Sequence, residues 1–297
     1  IIYRGISMKY TFIKDYKNQE EVRKSFSELA KKTFCINFEK WYAKGLWGDK
    51  YIPYSLMDGD KVISNVSVNL MTFEMDGEVK NYIQLGTVMT DKAYRGQGCL
   101  RYLMEEVLAE YVGKVDGIYL FGNDSVIEFY PKFGFKKARE YSYSKEVQAE
   151  TSTLKMKSVD MTRRENLDKF LKTAREGASQ YRFQMRDNEG LLGFYAMDSE
   201  MVYQLGSEEV YVVAEVEEDK LFIQDIVARK KVALEEVVGA FGSQIKEVRL
   251  GFTPFEEEAV SYIRVEHHEE DCTFFIMGED LKQVEVRKLM FPALSHA

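Results

Sequence analysis

The sequence predicts an α+β protein of mixed, mostly antiparallel sheets with flanking helices, arranged as two successive units. Three observations carry this. Asp58-Gly59 and Asp76-Gly77 each separate β-rich runs, as tight hairpin turns do. The run YRGQGCLRYLMEEVL, Tyr94 to Leu108, passes from a glycine turn straight into an amphipathic helix. The order of hairpin, turn, helix and strand then recurs faintly in the second half.

From the N-terminus, residues 19–33 place Val22, Phe26 and Leu29 at helical spacing with charges between them. Three antiparallel strands are expected over 51–57, 61–74 and 78–90. A helix over about 99–113 carries the apolar stripe Leu100, Leu103, Met104, Val107, Leu108 and Tyr111. GIYLFGN reads as a buried strand, and DSVIEFYPKFGF as a short helix that breaks near Pro131 and turns at Gly134. In the second half a helix is expected over 161–175, then the strand pair EEVYVVAEVEEDKLFIQDIVA, the helix VALEEVVGAFGSQ and the strand EVRLGFTP. Ile223-Gln224 echoes Ile83-Gln84, but only RKK stands where the first half has its glycines. If the second unit is a repeat, its anion cradle is gone.

The chain has 297 residues, 45% hydrophobic, with only 4 prolines, so it has material for real cores and no sign of low complexity. Net charge is −8, divided as +1 over residues 1–150 and −9 over the remainder. An acidic second unit argues against nucleic acid or an anionic membrane as partner, because both are held through Lys/Arg clusters. It could attract a cationic substrate or simply aid solubility. Cys35, Cys99 and Cys272 are odd in number and without CxxC spacing, which suggests neither a disulfide framework nor a zinc site and fits a cytoplasmic protein. No apolar stretch approaches the ~18 residues of a membrane span. IIYRGIS before Met8 reads as an upstream extension of a chain that starts at Met8.

The histidines, His267, His268 and His296, all lie near the C-terminus, so no Ser-His or Cys-His pair arises from nearby sequence in the first half. Adjacent His267 and His268 point in different directions without a third ligand at metal-binding spacing, so they read as a surface loop and no metal is expected.

Gly96 and Gly98 leave backbone N–H groups free to converge where a helix dipole is positive, which suits an anion. A P-loop would need Lys-Ser/Thr after Gly98, and a dinucleotide fingerprint would need a third glycine where Arg101 stands. VMTDKAYRGQGCLRYLME instead resembles motif A of the GNAT superfamily of N-acetyltransferases, whose R/Q-x-x-G-x-G/A loop binds the diphosphate of acetyl-CoA. Arg95, Gly96, Gln97 and Gly98 match it, and Leu100 stands where that family usually has Gly or Ala. Downstream, NDSVIEFYPKFGF resembles the family's N-x-x-A-x-x-(F/L)-Y-x-x-x-G-F segment at Asn123, Phe129, Tyr130, Gly134 and Phe135, with Val126 for the usual Ala. The resemblance covers roughly residues 8–145. With its appended second unit the chain looks like the enhanced-intracellular-survival type of aminoglycoside acetyltransferase, although 297 residues leave little room for that type's sterol-carrier-like domain.

The resemblance implies a GNAT acyl-CoA N-acyltransferase fold over 8–148 and a second, degenerate GNAT-like domain over 149–297. It implies that backbone groups of Val88, Met89 and Thr90 hold the pantetheine. The diphosphate would take N–H groups of Gly96, Gly98, Cys99, Leu100 and Arg101, beside Gln97 and the charge of Arg95. Tyr130 would be the acid that protonates the leaving thiolate. Asn123 would bond the coenzyme or cap the following helix, for which Asp124 and Ser125 serve as well. Cys99 sits where a dipole lowers a thiol pKa, yet without a base it reads as a packing residue. The general base is not legible; Glu74 and Asp91 are near enough to act through water. The expected function is acetyl-CoA-dependent transfer to the amine of a small molecule in a ternary complex, with assembly into oligomers compatible. The alternatives are a protein or peptide amine as acceptor, or a non-catalytic acyl-CoA sensor or partner-binding module.

Overall fold

The computed structural model describes residues 9–148, 154–206 and 209–296, so the expected start at Met8 lies outside them. The first half runs β1 (Thr11–Lys14), α1 (Glu20–Phe34), α2 (Glu39–Ala43), β2 (Tyr51–Asp58), β3 (Lys61–Met75), β4 (Glu78–Thr90), α3 (Cys99–Tyr111), β5 (Gly117–Gly122), β6 (Lys136–Lys137) and β7 (Tyr141–Glu146). After it come β8 (Met156–Ser158), α4 (Arg164–Glu176), β9 (Phe183–Arg186), α5 (Glu189–Ala196), β10 (Val202–Leu205), β11 (Val210–Glu217), β12 (Lys220–Ala228), α6 (Leu234–Ala240), β13 (Glu247–Leu250), β14 (Ile263–Glu266) and β15 (Thr273–Met277).

Both hairpins form where the Asp-Gly pairs stand. Gly59 and Gly77 take positive φ, and Asp76 does as well. Helix α1 carries Glu20 and Glu21 in its first turn and Lys31 and Lys32 in its last, the order that complements the helix dipole. Cys35 closes it in a left-handed conformation, its N–H donating to Lys31.

The sheets have matching strand orders, β1-β2-β3-β4-β5-β15-β6 and β8-β10-β11-β12-β13-β7-β14. In each, one parallel pair interrupts an antiparallel ladder: β4 with β5, and β12 with β13. The strand beside that pair is exchanged. Strand β7 leaves the first half to pair with β13, while β15 returns from the C-terminal region to pair with β5. Strand β9 also crosses, pairing with β3. Sheet membership therefore does not change once along the chain, near residue 148, but several times.

Helix α3 covers one face of the first sheet. Leu103, Met104 and Val107 are wholly buried against Val66, Val68, Ile83, Leu85 and Leu120. Each such side chain contributes about 1.5–3 kcal/mol through burial, so the helix that follows the glycine turn is firmly seated. The opposite face meets α1, α2 and the second lobe, through a cluster that joins Phe26, Trp41, Trp47 and Tyr51 to Leu167, Phe170 and Leu192. Glu140, at the crossover between the sheets, is buried and accepts the Phe291 N–H at 2.7 Å.

Candidate active site and coenzyme cleft

Parallel pairing of β4 with β5 ends at Leu85 and Leu120, although β4 continues to Thr90 and β5 to Gly122. Beyond that point the strands lack a common ladder, and the edge of β4 from Gly86 to Thr90 faces a gap. On its other side β4 stays bonded to β3 through a bulge: Gly86 pairs with Ser67 and Met89 with Asn65, so Thr87 and Val88 together oppose Val66.

Thr87 sits in this bulge at φ +47°, a conformation that a β-branched residue rarely adopts. Such strain costs of the order of 1–3 kcal/mol and persists only where neighbours enforce it. Here Asn65 Nδ2 donates to the Thr87 carbonyl at 2.9 Å, and the hydroxyls of Tyr51 and Thr87 are 2.8 Å apart. Behind them, Tyr16, Ser55, Asn65, Ser67 and Tyr51 form a buried chain of hydrogen bonds of 2.7–2.9 Å. No local pattern announces this network, because Asn65, Ser67 and Asn69 alternate with valines as a solvent-facing strand edge would.

After β4, the Asp91 carboxylate caps a single 3₁₀ turn over Lys92–Tyr94, and Arg95 to Gly98 lie exposed at the start of α3. Gly96 and Gly98 have φ +76° and +81°, and nothing lies within 4 Å of where a Cβ would stand on either. Among the described residues no hydrogen bond uses the N–H of Gly96, Gly98, Leu100 or Arg101, and that of Cys99 meets only its own thiol. Those orphan donors share one helix N-terminus. Arg95 Nε donates to the Thr90 carbonyl at 3.3 Å, tying the turn to the end of β4, and Gln97 accepts from the Tyr10 hydroxyl at 2.7 Å. Val88, Met89 and Thr90 thus lead directly into the turn. Thr90 is anchored by its hydroxyl to Ser64 at 2.8 Å.

Cys99 is buried, and burial pushes its thiol up against the opposing hydrogen bond from its own backbone N–H. It packs beneath the turn, as expected, and is not primed as a nucleophile. Asp91 accepts from Lys61 at 2.7 Å and from the Ala93 N–H at 3.1 Å; Lys61 above all holds its carboxyl down at about 2. Partial burial pushes Glu74 up, but bonds from Ser179 and Arg186 outweigh this and keep it ionised. Both carboxylates are committed to cations and poorly suited to take a proton from an ammonium. His267 and His268 fall between β14 and β15, and among the described residues no three His, Cys, Asp or Glu side chains are arranged to hold a metal ion.

Tyr130 opens a 3₁₀ turn over Tyr130–Phe133; Pro131, which has no N–H to donate back to Ile127, stops the preceding turn from continuing into it as an α-helix. Its ring lies against the end of β5: a Cβ on Gly122 would come within 2.8 Å of it. Phe129, Phe135 and Phe275 surround it, and burial alone pushes the phenol up to about 12. The hydroxyl stays protonated at neutral pH and has no hydrogen-bond partner among the described residues. Asn123 does not cap the next turn with its side chain; its Oδ1 accepts from Ser125 at 2.7 Å.

The second sheet repeats the gap and then fills it. Gln224 bulges from β12, and pairing with β13 ends at Ile223 and Leu250. There the Gly251 N–H donates back to Ile223, while the Ala293 N–H donates to Gly251 at 2.7 Å. A Cβ on Gly251 would stand 2.8 Å from that of Ala293. The chain's own segment around Ala293 occupies the equivalent space, and α6 starts at Leu234, after Ala233, without a glycine turn.

Comparison with known proteins bears on the fold that carries this geometry. Residues 19–138 match the family model described as an acetyltransferase (GNAT) domain. Among solved structures the chain is similar to a protein of Enterococcus faecalis V583 described as a probable N-acyltransferase, at 15% identity and TM-score 0.63 over 93% of this chain and 74% of that one. A GCN5-related N-acetyltransferase from Kribbella flavida gives 15% identity and TM-score 0.56 over 93% and 73%. Eis1 from Mycobacterium abscessus gives 12% and 0.57 over 90% and 72%. At these identities the likeness speaks for the fold, which is the one expected: mixed, mostly antiparallel sheets in two lobes. No curated protein matches the sequence. No helix among the described residues is long and apolar enough to cross a membrane.

Proposed function

Because residues 19–138 are an acetyltransferase (GNAT) domain, we propose that this chain is a cytoplasmic N-acetyltransferase that moves an acetyl group from acetyl-CoA to the amine of a small molecule by direct attack. One observation carries the reading: the parting of β4 and β5 after Leu85 and Leu120 opens beside the unbonded N–H groups of Gly96, Gly98, Leu100 and Arg101.

In this proposal the diphosphate takes the N–H groups of Gly96, Gly98, Cys99, Leu100 and Arg101, with Arg95 and Gln97 at the rim. The pantetheine lies along Val88, Met89 and Thr90, and Asn123 flanks the far side of the gap. The bulge at Thr87 turns this edge of β4 outward. The neutral amine nitrogen attacks the thioester carbonyl, the C–S bond breaks, the Tyr130 hydroxyl gives its proton to the thiolate, and the proton that the new amide nitrogen sheds passes through solvent to restore the phenol. Burial keeps the phenol protonated at neutral pH, so the proton to be given is present. The proposed division into a coenzyme lobe, 8–148, and a second lobe, 149–297, is supplemented by the crossing strands β7, β9 and β15. The filled gap of the second sheet supports a single coenzyme per chain.

Calorimetry with acetyl-CoA, followed by thiol release against a panel of small amines, tests the reading. Binding with release for at least one amine supports it. Binding without release for any amine points to an acyl-CoA sensor instead.

A further inference from the structure

Between the two lobes lies a cavity of ≈ 750 Å³, walled by the 45–51 stretch before and within β2, by Asn69 of β3, by α4 and by the start of α5. Asn69 is 3% exposed, and its Nδ2 has no hydrogen-bond partner. A buried donor left unpaired costs about 1–3 kcal/mol, and native interiors seldom tolerate one without a reason. A ligand oxygen arriving in the cavity would supply the missing acceptor.

The charges in the wall point the same way. Four of its carboxylates are already neutralised: Asp49 by Lys17, Asp168 by Arg164, Glu176 by Arg229 and Glu189 by Arg175. Lys50 and Lys172 have no ion-pair partner among the described residues, and Asp187 is the single unpaired wall carboxylate. The uncommitted groups are thus mainly donors, suited to an anionic oxygen, with one carboxylate left over for an ammonium. The cavity also adjoins the chemistry. Tyr51, which pairs with Asn69 across β2 and β3, forms part of its wall, and the same side chain holds Thr87 at the bulge.

We propose that this cavity is the acceptor subsite and that it selects amines carrying a carboxylate, whose oxygens are taken by Asn69 Nδ2 and Lys50. The inference rests on the acetyltransferase reading above for its place in the reaction, but not for the ligand chemistry of the cavity. An acceptor of this class is opposite in kind to the purely cationic amine that the acidic second half suggests.

The test is calorimetry of the full chain with L-lysine and with cadaverine, which is the same diamine without the carboxylate. L-Lysine is expected to bind at least ten-fold more tightly than cadaverine. Lys50→Met and Asn69→Leu should each reduce that preference to less than three-fold while leaving acetyl-CoA affinity unchanged. Lys50→Met alters a half-buried surface side chain and serves if Asn69→Leu does not fold. Equal binding of the two probes, binding of neither, or a preference that survives Lys50→Met overturns the proposal. A chain that prefers L-lysine but fails to bind acetyl-CoA keeps the cavity assignment and loses the acetyltransferase reading.

Discussion

Tyr51 and Thr87 are joined by a 2.8 Å bond between their hydroxyls, and this bond ties a left-handed threonine in β4 to a buried tyrosine in β2. Through it, the bulge that opens the edge of β4 rests on a polar network inside the sheet. The expected consequence of Tyr51→Phe is a loss of about 1–3 kcal/mol, because Thr87 and Ser67 each lose a buried partner. Urea denaturation measures this; an unchanged midpoint would mean that the network does not brace the bulge.

Gly98→Ala separates strain from function. At φ +81° with open space around it, the new methyl meets no atom, so the cost is conformational, about 1–2 kcal/mol. Gly59→Ala carries the same cost in a hairpin at φ +59°, away from the turn. Both variants should lose similar stability, but only Gly98→Ala should bind acetyl-CoA at least ten-fold more weakly. Equal affinities in the two would remove the turn from the coenzyme site.

Tyr130→Phe deletes a hydroxyl that has no partner in the fold, so stability should hold to within about 0.5 kcal/mol. Turnover, measured as thiol release, should fall about 100-fold or more if the phenol is the acid. Turnover at the parent rate would leave Tyr130 only the packing role against Gly122.

Exchange of β7 and β15 makes the lobes interdependent. A fragment ending at residue 148 keeps β7 without its partners β13 and β14 and leaves β5 and β6 without β15 between them. It should aggregate or lack dispersed amide resonances. A soluble, well-dispersed spectrum would show that the first lobe folds alone.

Glu140 predicts a pH dependence of stability. Burial raises its carboxyl to about 8 from an ordinary 4.5, against the opposing Phe291 N–H bond. The folded-state value lies above the unfolded one, so the stability it confers is complete below pH 4.5 and is lost as pH rises through about 8. At about 1.4 kcal/mol per pKa unit, several kcal/mol are at stake. Glu140→Gln can still accept from Phe291 and should flatten the fall between pH 5 and pH 9. A parallel curve for the variant would contradict the assignment.

The long elements were legible because their signals were local. Val22, Phe26 and Leu29 mark α1, and each Asp-Gly pair turns where a hairpin requires it. The glycine turn and the order around Tyr130 were legible for the same reason. What escaped depends on distant partners. Strand β7 reads as a weak polar segment until β13 and β14 flank it, and β15 acquires its place only beside β5. Asn65, Ser67 and Asn69 imitate a solvated face, because no local pattern reveals that Tyr16 and Tyr51 will cover them. Short elements such as α2 and β9 carry too few residues for periodicity to show.

The most direct measurement is a crystal structure with acetyl-CoA bound. The paired phosphates should lie within about 2.7–3.2 Å of N–H groups between Gly96 and Arg101, with the pantetheine in the gap beyond Leu85 and Leu120. Phosphates bound elsewhere, or a gap that stays closed to the coenzyme, would contradict the account.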